Sequence, residues 1–220
     1  MIKGIIFDLD GTLLNTISDI AKSMNAVLED YGYREFTEDE YMLKVGNGFR
    51  KLIERSLPKD ADEDLIIEAL EKFFYYYNMY YMDASKPYDG IIPLLKELNK
   101  QDIKLAINTN KREDYASNLI NTRFSEVELI GFKGQVEDRP IKPDPTGANE
   151  LIELMNLDKS EVIYVGDSRT DVLTGTNAGL DVVGVSWGFR GYDELKEANA
   201  TYIINEPNEL LELINKINTK

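Results

Sequence analysis

Apolar residues fall into different periods along the chain. The first is a short continuous run, Lys3-Gly4-Ile5-Ile6-Phe7-Asp8, that leads into Gly11-Thr12. Such a run, closed by a turn pair, predicts a buried strand. From about Thr16 to Asp83 the spacing is helical, with Met24, Val27 and Leu28 on one face and Leu65, Ile66, Ala69 and Leu70 on another. The stretch from Phe73 to Met82 is rich in tyrosine and reads as a helix packing an aromatic face on its neighbours. Beyond Pro87 the two periods alternate. Helices are predicted over 91–100, 112–120, 145–155, 170–178 and 207–217, and strands over 103–108, 127–132, 161–165, 181–186 and 201–204. This alternation implies an α/β fold with a parallel sheet covered by helices on both faces. The all-helical block interrupts it after the first strand, so residues 1–15 and 86–220 are expected to form one domain and 16–85 an inserted second one.

Composition narrows the chemistry. The 220 residues are 43% hydrophobic and 30% charged, enough to bury a core and stay soluble. No apolar run is long enough to cross a bilayer and no signal-like segment precedes the first strand, so a cytoplasmic protein with no membrane partner is expected. Cysteine is absent, which excludes disulfides, thiolate metal sites and a cysteine nucleophile. Histidine is absent too, which removes Ser-His-Asp hydrolysis, phosphohistidine chemistry and imidazole-bound metals. Any general acid or base must then be a carboxylate, a lysine or a tyrosine, and any metal must sit among oxygens. The net charge of −15 comes without a Lys/Arg cluster, so no nucleic-acid partner is expected, and an anion site must be made locally positive.

Ligands of open parallel sheets bind at the carboxyl ends of the strands. The first strand ends Asp8-Leu9-Asp10-Gly11-Thr12, the second Asn108-Thr109-Asn110-Lys111, and the 161–165 strand Gly166-Asp167-Ser168-Arg169-Thr170-Asp171. Lys142-Pro143-Asp144-Pro145 leads into a helix beside them. Singly, each has a bland reading: an Asp or Thr after a strand caps the next helix, and a lone lysine is a solvated charge. Together, Asp8, Asp10, Asp167 and Asp171 would repel one another in a shared cleft, and a divalent cation with Lys142 would remove that conflict.

These segments, in this order, resemble the four motifs of the haloacid dehalogenase superfamily over nearly the whole chain. The resemblance implies a Rossmann-like core with a helical cap inserted after the first motif, and it implies roles. Asp8 would be the nucleophile that forms an aspartyl-phosphate. Asp10 would protonate the leaving group and then activate water. Mg2+ would be held by the side chains of Asp8 and Asp167 and the carbonyl of Asp10, with Asp171 orienting a water or Lys142. Thr109 and the amide of Asn110 would bind phosphoryl oxygens at a helix N-terminus, and Lys142 would supply fixed positive charge. Dehalogenases of the superfamily lack an acid at the position of Asp10, so phosphoryl transfer is expected.

The segment from Val45 to Arg55 resembles the cap of phosphoglycolate phosphatases, as do Pro87–Ile91 and Ser186–Gly191. That likeness makes Gly46, Asn47, Gly48 and Arg50 candidate substrate-binding residues, although the two glycines could equally only shape a turn. Two departures are Leu14-Asn15-Thr16, where an acid followed by Ser is usual, and Asn108, where an apolar residue is usual. The expected partner is a small phosphorylated metabolite, first of all 2-phosphoglycolate. Pyrophosphate hydrolysis, sugar-phosphate hydrolysis or isomerisation, and a non-catalytic metabolite-binding role are the alternatives. The tyrosine-rich helix could supply the face of a homodimer.

Overall fold

The structure is a computed structural model that describes residues 1–219. The chain divides into two compact units, one built from Met1–Leu14 and the residues from Pro87 onward, the other from Asn15–Lys86.

In the first unit, β1 (Gly4–Phe7) is the apolar run at the start of the chain. The chain leaves this unit through the short β2 (Leu14–Asn15) and returns through β3 (Lys86–Pro87), which pair with each other. The helices α1 (Ile17–Asp30), α2 (Glu38–Met42), α3 (Phe49–Ser56) and α4 (Glu63–Tyr80) lie between them. After the return come α5 (Ile91–Lys100), β4 (Lys104–Arg112), α6 (Glu113–Arg123), β5 (Gly131–Gln135) and α7 (Thr146–Met155). Then follow β6 (Val162–Gly166), α8 (Arg169–Ala178), β7 (Asp181–Val185), α9 (Gly191–Glu197), β8 (Tyr202–Ile204) and α10 (Asn208–Asn218).

Six strands form one parallel sheet in the order β5-β4-β1-β6-β7-β8. A parallel strand buried on both faces reads as a continuous apolar run rather than an alternating one. Ile5, Ile6 and Phe7 of β1, Leu105 and Ile107 of β4 and Ile163 of β6 are all buried. On one side of the sheet Ile6, Ala106 and Tyr164 pack with Leu151 and Met155 of α7 and Val172 of α8. The register sets up the site. Phe7 stands level with Ile107 on one side and with Val165 on the other, so the residues that follow the three central strands emerge side by side.

Several elements differ from the sequence expectation. β4 runs to Arg112 rather than stopping near Asn108, through a register irregularity against β5, and α6 therefore opens at Glu113. The next strand occupies Gly131–Gln135, a few residues later than the apolar run Val127–Phe132 suggests. Pairing with β4 fixes it there, because Ile130 is 43% exposed whereas Gly131 and Phe132 meet Ala106 and Ile107. The helix α9 has too few apolar positions to be seen in sequence, and only Leu195 is buried on it.

Within the helical unit α1 packs along α4 and α3 packs on α4. Phe49, Phe73 and Tyr77 make one aromatic cluster, with ring centroids 4.9 to 5.2 Å apart. The tyrosine-rich stretch is thus used for packing on its inner face, while Tyr75 and Met79 stay exposed. Among the described residues no helix is long and apolar enough to cross a membrane.

Candidate active site

β1 delivers the first carboxylate. The Asp8 amide donates to the Val165 carbonyl at 2.8 Å, which continues the β1–β6 pairing one residue past the strand. The backbone then turns sharply. Gly11 adopts φ of +87°, a left-handed conformation that costs glycine little. A Cβ there would lie 2.4 Å from Asp167 Oδ2, so this turn accepts only glycine beside that carboxylate. Gly188 closes the other side, where a Cβ would sit 2.3 Å from both Asp167 Cβ and the Gly11 carbonyl oxygen.

The turn after β6 delivers Asp167, and the first turn of α8 delivers Asp171. Ser168 caps α8 in a capping box with Asp171. Asp171 Oδ2 accepts from the Ser168 amide at 3.1 Å and from its hydroxyl at 2.6 Å. Its other oxygen accepts from Lys142 Nζ at 2.6 Å. The same ammonium lies 2.7 Å from Asp8 Oδ1, so Lys142 links the end of β1 to the first turn of α8. Asp167 Oδ2 accepts from the Phe189 amide at 2.6 Å. Asp8, Asp167 and Asp171 each offer a carboxylate oxygen within 4.8 Å of the others, and all three are buried.

Crowding of buried charge shifts these groups strongly. Burial, and then the Asp171 charge, push Asp8 up to about 7 against the opposing pull of Lys142. Burial followed by Asp171 and Asp8 hold Asp167 well above the usual carboxylate range. Burial alone would lower Lys142, but Asp171 and Asp8 outweigh it and keep the ammonium well above its ordinary value.

The structure therefore brings Asp8, Lys142, Asp167 and Asp171 together at one end of the sheet, with Asp10 two residues beyond Asp8 and Thr109 on the adjacent strand β4. Two details differ from the sequence reading. Thr109 and Asn110 lie within β4, not at the start of α6; the helix N-terminus is three residues further on, with Arg112 as its cap residue. Asn110 also uses its side chain: Nδ2 donates to the Lys142 carbonyl at 3.1 Å and Oδ1 accepts from the Lys142 amide at 2.8 Å. Sequence reasoning missed Lys111. Its side chain is fully buried, and Nζ donates to both oxygens of Asp10, at 2.9 and 3.2 Å. The signal available was its place two residues after Thr109 on a strand end.

The remaining candidates belong to the helical unit. Gly46 and Gly48 have φ of +107° and +81°, and Gly48 is the residue before α3. Asn47 accepts from Arg55 at 2.7 Å. Arg50 donates to Glu54 at 3.0 Å and to Glu63 at 2.7 Å, with its side chain 47% exposed. These contacts give the segment a structural role of its own.

A family model described as haloacid dehalogenase-like hydrolase matches residues 5–185, a span that contains every one of these strand ends. The chain belongs to that family. Its curated relatives in the haloacid dehalogenase family include a phosphoglycolate phosphatase of Vibrio parahaemolyticus, 30% identical over 97% of this chain and 96% of the relative. They also include the pyrophosphatase PpaX of Listeria monocytogenes, 29% identical over 97% of this chain and 96% of the relative. A crystal structure from Lactobacillus delbrueckii subsp. bulgaricus, provisionally assigned as a phosphoglycolate phosphatase, superposes with a TM-score of 0.92 at 27% identity. The match covers 96% of this chain and 98% of that one. Family, relatives and acidic cluster together make this chain a haloacid dehalogenase-type phosphatase with a cluster of carboxylates able to hold a metal.

Proposed function

We propose that the protein hydrolyses a small phosphomonoester, 2-phosphoglycolate before others, with magnesium and through an aspartyl-phosphate on Asp8. The observation that carries this reading is the buried Lys142 ammonium between Asp8 and Asp171, 2.7 and 2.6 Å from their oxygens, beside Asp167. A fixed cation in contact with a buried carboxylate is what an attack on a phosphoryl dianion needs.

The donor set fits magnesium. It consists of oxygens alone, and the carboxylates it crowds together are destabilised without a cation. Asp171 has one oxygen on Lys142 and the other on Ser168, so the side chains of Asp8 and Asp167 would hold the ion, and by the family resemblance the carbonyl of Asp10 would join them. When bound, magnesium supplies positive charge to the phosphoryl oxygens and to the nucleophile.

In the first step an oxygen of Asp8 forms a bond to phosphorus while the bond from phosphorus to the leaving oxygen breaks. Asp10 gives that oxygen its proton. Thr109 and the amide of Asn110 hold the phosphoryl oxygens, and Lys142 balances their charge. In the second step Asp10 takes a proton from water, the water oxygen attacks the same phosphorus, and Asp8 leaves as a carboxylate. Gly46, Asn47, Gly48 and Arg50 are the candidates for reading the leaving portion, on the likeness of their segment to the caps of phosphoglycolate phosphatases. The exposed Tyr75 and Met79 of α4 offer a face for a homodimer, which sedimentation checks directly.

The test is free-phosphate release over a panel of phosphorylated metabolites that includes 2-phosphoglycolate, pyrophosphate and sugar phosphates. We expect release that needs magnesium and that falls by roughly three orders of magnitude or more in Asp8→Asn. Full turnover after exhaustive chelation, or wild-type rates in Asp8→Asn, would overturn the mechanism. Equal rates on all esters would remove the substrate assignment and leave the phosphatase.

A further inference from the structure

Asp10 and Lys111 form a contact that the mechanism leaves unexplained. Asp10 must present its carboxyl group to the leaving oxygen. Yet both of its oxygens accept from Lys111 Nζ, at 2.9 and 3.2 Å. The pair is also asymmetric, since the Lys111 side chain is fully buried while that of Asp10 is 21% exposed. The cation is therefore the buried member of the pair, and the acid is the member that solvent reaches. Lys111 is rigidly carried: its amide donates to Thr109 Oγ1 at 3.1 Å, and its backbone packs against Gly134 of β5 so closely that a Cβ there would lie 3.0 Å from the Lys111 carbonyl oxygen. Removing an ammonium from water is costly and needs a counter-charge, which Asp10 provides when no substrate is bound.

Consider the leaving group in that place. An oxygen hydrogen-bonded by Asp10 at about 2.7 Å lies within about 6 Å of Lys111 Nζ. An anionic group attached one or two bonds from that oxygen comes within ion-pairing reach of the ammonium. It would then replace the Asp10 carboxylate as the partner of Lys111 and leave Asp10 able to turn to the leaving oxygen. A neutral leaving group offers no such exchange. 2-Phosphoglycolate has its carboxylate one methylene from the ester oxygen, and in pyrophosphate the second phosphoryl group bears that oxygen directly.

We infer that Lys111 is a specificity residue that selects phosphoryl compounds whose leaving group carries a second anion close to the bridging oxygen. This deepens the phosphatase reading by naming the substrate class, and it rests on that reading. It assigns the second anion to a residue of the sheet-bearing unit, independently of Arg50 in the helical one.

The experiment compares 2-phosphoglycolate with 2-hydroxyethyl phosphate, which replaces the carboxylate by a neutral alcohol carbon and keeps the chain length. The wild type is expected to favour phosphoglycolate in kcat/KM by about 100-fold, as one desolvated charge contact allows. In Lys111→Met that ratio should fall to within a few-fold of unity, and in Lys111→Arg, which keeps the cation, most of it should survive. Calorimetric binding of the two compounds to Asp8→Asn and to the Asp8→Asn/Lys111→Met double variant should show the same loss of preference without turnover. A preference unchanged in Lys111→Met, with both substrates losing equally, would overturn the inference and reduce Lys111 to a support for Asp10. A wild type with no preference would overturn it as well. If no ester is hydrolysed, the phosphatase reading fails, and the calorimetric ratio still decides the role of Lys111.

Discussion

Asp8 carries a proton more readily than an ordinary aspartate, with its pKa pushed from 3.8 up to about 7 by burial first and by Asp171 next. A group whose pKa is raised by folding stabilises the fold fully below its unfolded value, and that contribution drains away as pH rises through the folded value. The window for Asp8 therefore runs from 3.8 to about 7. Paired surface acids such as Glu40, Glu54 and Glu161, held below the usual 4.5, have completed their opposite contribution by then. A divalent cation at Asp8 and Asp167 competes with those protons. We expect added magnesium to raise Tm clearly at about pH 7.5 and little at about pH 5, while the metal-free protein loses stability between them. An equal magnesium shift at both pH values would remove these carboxylates from the metal site. A second residue-scale expectation concerns Asn110, whose side chain grips both backbone groups of Lys142. Asn110→Ala should lower kcat by roughly 10- to 100-fold with little change in KM, because it loosens the ammonium by a fraction of an ångström. In a Lys142→Ala background it should cost almost nothing more; additive losses would mean that Asn110 acts elsewhere. Asp8, Asp10 and Asp167 were legible in the sequence because each ends or follows a predicted strand, and Lys142 because it leads into a predicted helix in the expected order of motifs. Lys111 and the Asn110 side chain were not, since a lone lysine reads as a solvated charge and Asn110 enters the sequence reading only through its backbone amide.

Strand ends decide where these groups meet, and glycines decide how closely. Gly11 and Gly188 let two turns converge on Asp167, and each excludes a Cβ by contacts of 2.3 to 2.4 Å. Gly11→Ala and Gly188→Ala should therefore displace Asp167 and weaken magnesium affinity by tenfold or more, read by titrating the metal against Tm or activity. Gly191→Ala is the control: Gly191 has a positive φ of +71° but faces open space. It should cost about 1 kcal/mol of stability and leave metal affinity alone. If all three behaved alike, backbone strain rather than crowding at Asp167 would be the cause. The order of elements was readable because parallel strands and covering helices have different apolar periods. Boundaries were less so. β4 carries polar residues from Asn108 to Arg112, all but the last buried, which sequence reads as a turn and a helix start. Asn110 bonds to Lys142 and Lys111 to Asp10, so the misplaced boundary falls on candidate site residues. β5 was shifted because its Gly131-Phe132-Lys133-Gly134 sequence has little apolar signal, and pairing with β4 supplies what the sequence lacks.

On the scale of the whole chain, the helical block leaves and rejoins the sheet-bearing unit at two neighbouring points, where β2 and β3 pair. An insert joined by two strands needs its own ends tied, or the chain frays at both crossings. Asp19 of α1 supplies the tie. It is 1% exposed, and its carboxylate accepts from the Ala84 amide at 2.9 and 3.1 Å, from the Ser85 amide at 2.8 Å and from the Ser85 hydroxyl at 2.7 Å. The first turn of the block is thereby fixed to its last residues. Replacing the carboxylate leaves those donors buried without a charged acceptor, at a cost of about 3 kcal/mol. Asp19→Asn keeps the volume and presents an amide nitrogen to donors, so it should lose most of that stability, and Asp19→Ala should lose it all. Hydrogen exchange separates this from general damage. The amides of Ala84 and Ser85 and those of α1 and α4 should exchange faster, while Ile6 of β1 and Ile107 of β4 keep their protection. An even rise across both units would mean that Asp19 supports the entire fold, and no rise at Ala84 and Ser85 would mean that the tie carries no load.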